Sequence, residues 1–368
     1  VSASYNCGVQ ISEVNGVKVY YVGLKNLYWP FSQKHNSSLI KPLWHLLDTY
    51  NPLMASEVDR ILAIEKPDVV HTNNLSCFSV AIWKIVKARK LPLVHTIRDY
   101  YLLCPKPGMF SRGRNCEKQC MICRLYSVIR HKYSKLVYDV VGISRFVLEK
   151  HTSLGFFPHA RCEVIFNAYE NKTFSFQASE NRQPSIRFGY IGRLHYTKGV
   201  EIILEAVRML PEGTWTLSIA GQGSPEYEKH LKINNLDNTY FMGFVRPEEF
   251  FPLINVLIVP SLWHEPLGRT VFEAYSHGVP VIGSRRGGIP ELIEEGKTGF
   301  LFDPEYSEEL ARVMNKFIQK PKIIDAMLKN CHEKAQEFVP GRIAELYIQV
   351  YENAMMQNRR ISLPGVAK

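Results

Sequence analysis

A chain of 368 residues is long enough for two α/β domains, and 46% hydrophobic residues with 21 prolines suit a globular protein. No apolar run approaches the ~18 residues of a membrane-spanning helix, and the first residues lack the charged start and apolar core of a secretory signal. The net charge of +10 is one-sided: residues 1–170 carry 22 Lys and Arg against 12 Asp and Glu, while the remainder carries 23 of each. That excess asks for a partner of the first half in particular. Anionic lipid, a phosphorylated acceptor and nucleic acid are the candidates, beside an ordinary solvated basic surface.

Strand-like and helix-like segments alternate in both halves, which predicts parallel sheets with crossover helices. In the first half, short apolar strands are predicted at 16–22, 68–71, 93–97, 137–143 and 164–168, with a helix at 144–149 capped by Ser144. A polar, turn-rich stretch at 171–184 reads as the linker. The second half has strands predicted at 186–191, 216–220, 256–259 and 279–283, and the chain shows neither an internal repeat nor a low-complexity block.

Basic residues are densest from Lys106 to Lys150. There Arg124, Arg130, Lys132 and Lys135 interleave with Leu125, Tyr126, Ile129 and Leu136, the pattern of a helix with a cationic and an apolar side. The stretch 79–90 is similar, with Trp83 among Lys84, Lys87, Arg89 and Lys90. Such helices either dock on an anionic membrane or pack their apolar side on their own sheet. The eight cysteines point to a reducing compartment without a disulfide framework. Four of them, Cys104, Cys116, Cys120 and Cys123, end in a Cys-x3-Cys-x2-Cys spacing that suits either one structural zinc or a set of reduced thiols.

The most informative segment runs from Ser261 to Gly283. Its strand ends at Pro260, a loop carries Glu265, Gly268 opens an amphipathic helix bearing Glu273, and Gly278-Val-Pro leads into another strand. Eight helical residues rise ~12 Å, so the two carboxylates cannot share a proton or a metal. They can grip the two ends of an elongated ligand, with the N–H groups of the helix start between them offering a place for an anion. Hydroxyls at both ends and a diphosphate in the middle describe a nucleotide sugar. A second motif runs from Tyr190 to Val200, where a strand ends at Gly192 and Arg193 and Lys198 follow. Two cations beside helix N–H groups suit a pyrophosphate leaving group. The motif is neither a Walker loop nor a dinucleotide fingerprint.

The segment Glu265 to Glu273, with Pro266, Gly268, Ala274, Gly278-Val-Pro280 and Gly287-Gly288-Ile-Pro-Glu291 around it, resembles the E-x7-E signature of the retaining family-4 GT-B glycosyltransferases. Gly192-Arg-Leu with Lys198-Gly resembles that family's diphosphate site. The resemblance covers nearly the whole chain and implies an α/β, GT-B fold of two Rossmann-like domains facing each other across a cleft. The corresponding division is an acceptor-side domain over 1–170, a nucleotide-sugar domain over 171–345, and a C-terminal helix over 346–368 returning to the first domain. It implies that Glu273 meets the ribose hydroxyls, Glu265 the sugar hydroxyls, and the main chain of Pro266, Leu267 and Gly268 the sugar and phosphate. Gly192, Gly221 and Gly223 then admit the nucleotide, and Val245 belongs to the loop that meets the base. Relatives commonly carry His-Asp where this chain has Arg98-Asp99. Arg98 is always charged and is no base near neutral pH, but it can hold a phosphate or a sugar hydroxyl, or pair with a neighbour. Relatives also begin with a strand, a glycine-rich turn and a helix ahead of what looks here like the second strand. Residues missing from the start explain this better than a working minimal fold.

Together these readings predict a retaining, hexosyltransferase-like enzyme moving a sugar from a UDP- or GDP-sugar to an acceptor hydroxyl. The acceptor would be a lipid-linked glycan or surface polysaccharide. Glu265, Arg193, Lys198 and Arg98 are the groups expected to act, and no catalytic metal or other cofactor is expected, because the resemblance implies that Arg, Lys and helix N-termini stabilise the diphosphate. Nucleic acid is not expected as a partner, and the place of action is the cytoplasm, with peripheral contact to the inner face of a membrane. The rivals are a GT-B epimerase or phosphorylase and a non-catalytic module that binds nucleotide sugars or glycans.

Overall fold

The computed structural model describes residues 1–31, 40–169, 185–233 and 236–362. The predicted linker at 171–184 lies outside these. Two Rossmann-like α/β domains are present, the first built on β1 (Ser2–Ser4), β2 (Val9–Val14), β3 (Val17–Gly23), β4 (Val70–Asn73), β5 (Leu93–Ile97), β6 (Phe110–Ser111), β7 (Arg114–Asn115), β8 (Asp139–Gly142) and β9 (Arg161–Val164). Its helices are α1 (Ile40–Thr49), α2 (Pro52–Glu65), α3 (Ala81–Ala88), α4 (Met121–Ser134) and α5 (Arg145–Thr152). The strands fall into a sheet of order β1-β3-β2 and a parallel sheet of order β4-β5-β8-β9, with β6 and β7 a separate hairpin. No ladder joins the two larger sheets among the described residues; α2 bridges them, packing Met54 and Ile61 against Tyr20 and Val22.

The strand predicted at 164–168 is in fact β9, which ends at Val164. Its partner β8 runs out at Gly142, paired to Val164, so the chain beyond has no ladder to continue. The apolar residues that suggested a strand serve another surface, since Ile165 is buried with Ile343, Val350 and Ala354 of the C-terminal helix. Arg130 corrects the picture of a helix with one cationic side. It is fully buried, its guanidinium 3.7 Å from the buried Asp48 carboxylate of α1 and stacked 4.0 Å from the Tyr101 ring centre. The Trp83 helix, α3, does pack inward, with Trp83 completely covered.

The second domain is one parallel sheet of order β12-β11-β10-β13-β14-β15, comprising β10 (Ile186–Ile191), β11 (Trp215–Ala220), β12 (Thr239–Gly243), β13 (Val256–Val259), β14 (Val281–Ser284) and β15 (Gly299–Phe302). β14 starts later than predicted because Pro280 has no N–H for the ladder; it offers its carbonyl to Leu257 instead. Helices α6 (Val200–Val207), α7 (Pro225–Lys232), α8 (Pro247–Phe250), α9 (Arg269–Ser276), α10 (Ser307–Gln319) and α11 (Lys322–Ala335) connect and cover it. The long α12 (Pro340–Ser362) lies against the first domain: Tyr351 bonds His71 at 2.8 Å and Tyr347 bonds Thr96 at 3.1 Å.

The order β11-β10-β13 places the reversal of strand order at β10, the position beyond whose strand ends open α/β sheets hold their ligands. Close packing of the turns beside it needs glycine. Gly221 has φ +145, and a Cβ there would lie 1.8 Å from the Gly192 carbonyl oxygen. Gly221→Ala is therefore expected to cost about 1–3 kcal/mol, seen as a lower midpoint in thermal unfolding, whereas Gly341→Ala, in a helix and with open space around its Cβ, should not lower the midpoint.

Candidate active site

The loops after β10 and β13 are tied together. The N–H groups of Leu262 and Trp263 donate to the Thr197 carbonyl at 2.9 and 3.3 Å. Gly199, at φ +70, sits so near the Pro260 carbonyl that a Cβ would come within 2.2 Å of it. This approach delivers Lys198 to Glu265. The ammonium donates to Glu265 Oε1 at 2.5 Å, and Ser261 Oγ donates to the same oxygen at 2.7 Å. Trp263 lies beneath the ammonium, 5.4 Å from ring centre to Nζ.

The backbone of Glu265 is gripped as firmly as its side chain. Gly288 N–H donates to the Glu265 carbonyl at 2.8 Å, and Gly287 N–H donates to His264 Nδ1 at 3.1 Å. Gly287 has φ +59 and a Cβ there would strike the Glu265 backbone at 2.0 Å. Leu267 is buried, and Gly268, at φ +95, opens α9 without any side-chain cap. The first-turn N–H groups of that helix carry its positive end. On the next turn, the buried Glu273 accepts from Arg269 Nε at 2.6 Å. Burial pushes the Glu273 carboxyl above its ordinary range; Arg269 partly offsets this, and Glu248 adds to it.

Of the other residues singled out in the sequence, Arg193 follows Gly192 on the β10 loop, exposed and without an acidic partner among the described residues. Gly223 bridges to Leu194, whose carbonyl a Cβ would meet at 2.2 Å. Val245 follows the exposed Phe244 beyond β12. Arg98 is not brought to the Lys198–Glu265 pair. It leaves the end of β5 and donates to Asn73 Oδ1 at 2.9 Å and Asn167 Oδ1 at 2.6 Å, while Asp99 accepts from Asn74 and from the Tyr101 N–H. Of the alternatives for Arg98, the structure shows pairing with neighbours, and these are two asparagines and not Asp99.

Several residues of the site had no sequence signal. Tyr100 donates its hydroxyl to the His264 carbonyl at 2.8 Å, and its own pKa is raised by burial and then by the nearby Glu265 and Asp99. Asn115, on β7, donates to the Leu262 carbonyl at 2.8 Å and accepts from His264 N–H at 2.7 Å. Ser144 caps α5 and also donates to the Pro266 carbonyl at 2.5 Å. Glu291 accepts from the Arg145 and Phe146 N–H groups at 2.7 Å each, the N-terminus of α5 holding a carboxylate from the other domain. Glu291 stood inside a quoted motif; its partner 145 residues away could not be read from it.

The cysteines Cys104 and Cys123 bring their sulfurs within 3.4 Å, and Cys120 caps α4 with its sulfur accepting from the Cys123 N–H. That hydrogen bond lowers the Cys120 thiol's pKa, whereas burial raises those of Cys116 and Cys123. All eight cysteines are free. Among the described residues no three metal-ligating side chains are grouped to hold a metal ion, so zinc remains an expectation of the spacing alone. Among the described residues, too, no helix is long and apolar enough to cross a membrane.

The family profile "Glycosyl transferases group 1" matches residues 171–338, and that of "Glycosyltransferase Family 4" matches residues 16–171. The chain belongs to the glycosyl transferases group 1, family 4. It is 35% identical over 285 residues to an uncharacterized 42.6 kDa protein in the cps region of Klebsiella pneumoniae, covering 76% of this chain and 74% of that one. It is 32% identical over 332 residues to spore coat protein SA of Bacillus subtilis, covering 78% and 86%. Sucrose-phosphate synthase from Thermosynechococcus elongatus superposes with a TM-score of 0.72 at 18% identity, over 97% of this chain and 88% of that chain. HepE of Anabaena, solved in complex with UDP, gives 0.66 at 21% identity over 81% and 82%. At these identities the structures speak for the fold, and the fold is GT-B.

In this glycosyltransferase the loop from Leu262 to His264 depends on Asn115 for two of its hydrogen bonds. Asn115→Ala leaves a half-buried carbonyl and N–H without their partner, at about 1 kcal/mol. The expected outcome is faster amide exchange in a peptide spanning 262–268 than in the wild type, with the core strand β13 unaffected.

Proposed function

We propose that this chain transfers a hexose-like sugar from a UDP- or GDP-sugar to a hydroxyl of a glycan or lipid-linked glycan, with retention of anomeric configuration and without a catalytic metal. The reading rests on one observation above the others. Glu265, held by Lys198 and Ser261, stands at one end of a loop whose other end is the uncapped start of α9, and the buried Glu273 lies a turn further on. Sugar hydroxyls at Glu265, diphosphate at Lys198, Arg193 and the α9 N–H groups, and ribose hydroxyls at Glu273 fit that sequence of groups in order. Solved relatives of the fold support the donor class, since HepE has been solved with UDP, with UDP-glucose, and with UDP and glucose. Relatives in Klebsiella cps regions support polysaccharide synthesis, and the sulfoquinovosyl transferase of Arabidopsis thaliana supports transfer of a sugar.

In this mechanism the bond between the anomeric carbon and the diphosphate oxygen breaks as negative charge gathers on the phosphate. Arg193 and Lys198 meet that charge where it develops. The acceptor hydroxyl attacks the same face, and its proton passes to the departing phosphate oxygen, so no covalent enzyme intermediate forms. Before donor binds, Lys198 is neutralised by Glu265; the diphosphate then competes for the ammonium and frees Glu265 oxygen for a sugar hydroxyl. Arg98 and its asparagines line the first-domain strand ends, where a sugar or phosphate hydroxyl is a suitable partner.

Arg193→Ala, Lys198→Ala and Glu273→Ala are each expected to lower kcat/KM for the donor by about 10²–10³-fold, measured as transfer or slow donor hydrolysis across a panel of nucleotide sugars. Full turnover by all three variants would remove the assignment, and donor binding with neither hydrolysis nor transfer in the wild type would favour a non-catalytic module. A pH dependence follows from Glu273. Its raised pKa means that it takes up a proton at higher pH than an ordinary glutamate, and the neutral acid is a poorer acceptor for ribose hydroxyls. Nucleotide affinity, followed by calorimetry, is expected to fall as the pH drops through this raised pKa, and Glu273→Gln should bind weakly with that acid limb gone.

A further inference from the structure

The basic helix α4 packs on α1 and α3, with its amphipathic faces reversed from the usual apolar-inward arrangement. Its polar residues Ser127, Arg130 and Ser134 face inward and are buried, while its apolar stripe faces out. Met121 is 87% exposed, Ile122 64%, Leu125 73% and Val128 57%. Met121, Leu125, Val128 and the exposed Lys132 share one line along the helix, with exposed Arg124 and Lys135 beside it. The neighbouring α1 packs against α4, Tyr126 donating to the Pro42 carbonyl at 3.1 Å, and it too presents leucines outward, at Leu43, Leu46 and Leu47. Two adjoining helices therefore expose a continuous aliphatic surface of a kind that monomeric proteins seldom leave bare.

The charges around this surface identify what covers it. α4 contains no carboxylate, and the one carboxylate of α1, Asp48, is buried against Arg130. Lys41, Lys118, Arg124, Lys132 and Lys135 are exposed, and no acidic side chain pairs with them among the described residues. Aliphatic side chains rimmed by unpaired cations match the boundary between acyl chains and anionic headgroups. A second copy of the chain is a poor occupant, because symmetric pairing would set Arg124 and Lys132 against their own like charges.

We propose that the outward faces of α1 and α4 dock this glycosyltransferase on an anionic lipid bilayer, the leucines and Met121 entering the headgroup boundary and the cations meeting lipid phosphates. The docked face adjoins the cleft. Glu117, three residues before the Cys120 cap of α4, lies 3.8 Å from His264 in the loop that carries Glu265. The surface thus deepens the functional reading by naming where an acceptor on a lipid carrier is offered. Its test reads binding alone, so failure of docking and failure of transfer are told apart.

Flotation with phosphatidylcholine vesicles, with and without phosphatidylglycerol, at low and high salt, checks the proposal. The wild type is expected to float with the anionic vesicles and to be released by salt. Leu125→Asp combined with Val128→Asp should lower binding at least about tenfold. Arg124→Gln with Lys132→Gln should lower it roughly 25-fold at low salt, each cation near an anionic surface contributing about fivefold. These exposed positions should leave the unfolding midpoint and soluble-donor hydrolysis as they are. In Leu125→Trp, the indole emission should move to shorter wavelength only when anionic vesicles are added. A wild type indifferent to anionic lipid, or variants that float equally well, overturns the proposal. So does a wild-type dimer that Leu125→Asp with Val128→Asp disperses while vesicles remain unbound, which would make the face a protein interface.

Discussion

The loop from Ser261 to Gly268 is the constraint on which the site depends, because it is held from every side. Within its own domain, the Thr197 carbonyl takes two of its N–H groups, Lys198 and Ser261 fix the Glu265 carboxylate, and Gly287 and Gly288 press on the Glu265 backbone. From the first domain come Tyr100, Asn115 and Ser144, which bond the backbone at positions 262, 264 and 266. A carboxylate fixed this way loses little further freedom on meeting a ligand, which is what preorganisation supplies. The same contacts link the two domains, so the geometry at Glu265 and the relation of the domains are set by one group of hydrogen bonds.

How much of this was legible in the sequence depends on the range of each interaction. The strands 93–97, 186–191 and 256–259 could be placed because short apolar runs bounded by turn residues carry their own signal. So could the loop-and-helix character of the segment holding Glu265 and Glu273, with Gly268 at the break. The pairing of Lys198 with Glu265 was foreseen only as two motifs serving one ligand; their direct contact needs the parallel order of β10 beside β13, which no local pattern encodes. Asn115 and Tyr100 were invisible for a sharper reason. Each acts through a single hydrogen bond partner or two on a distant backbone, and neither residue type nor spacing announces that. The run 164–168 shows the opposite failure: its apolar pattern suggests a strand, yet the ladder ends at Val164 and Ile165 packs at the α12 interface.

Charge makes a second division of labour. The excess of cations in the first half is not spread over the cleft: Arg98 is tied to asparagines, Arg161 is paired with Asp139, and Arg130 is interior. Exposed cations flank α4 at Lys118, Arg124, Lys132 and Lys135, and others lie on and just after α3 at Lys84, Lys87 and Lys90. In the second domain, neutral in sum, Arg193 has no acidic partner among the described residues and the α9 start has no side-chain cap.

The buried Arg130–Asp48 pair has a consequence for the rotation of α4 about its own axis. A surface helix with an aliphatic stripe would ordinarily roll that stripe inward. Here such a roll would strand the Asp48 carboxylate in the interior and carry the Arg130 guanidinium away from the Tyr101 ring, a loss of about 3–5 kcal/mol for breaking a buried pair. The pair works as a key in a slot: it contributes little as an attraction, yet it indexes the helix so that its greasy side stays outside. An ion pair hidden in the core thereby decides what the outer surface is made of.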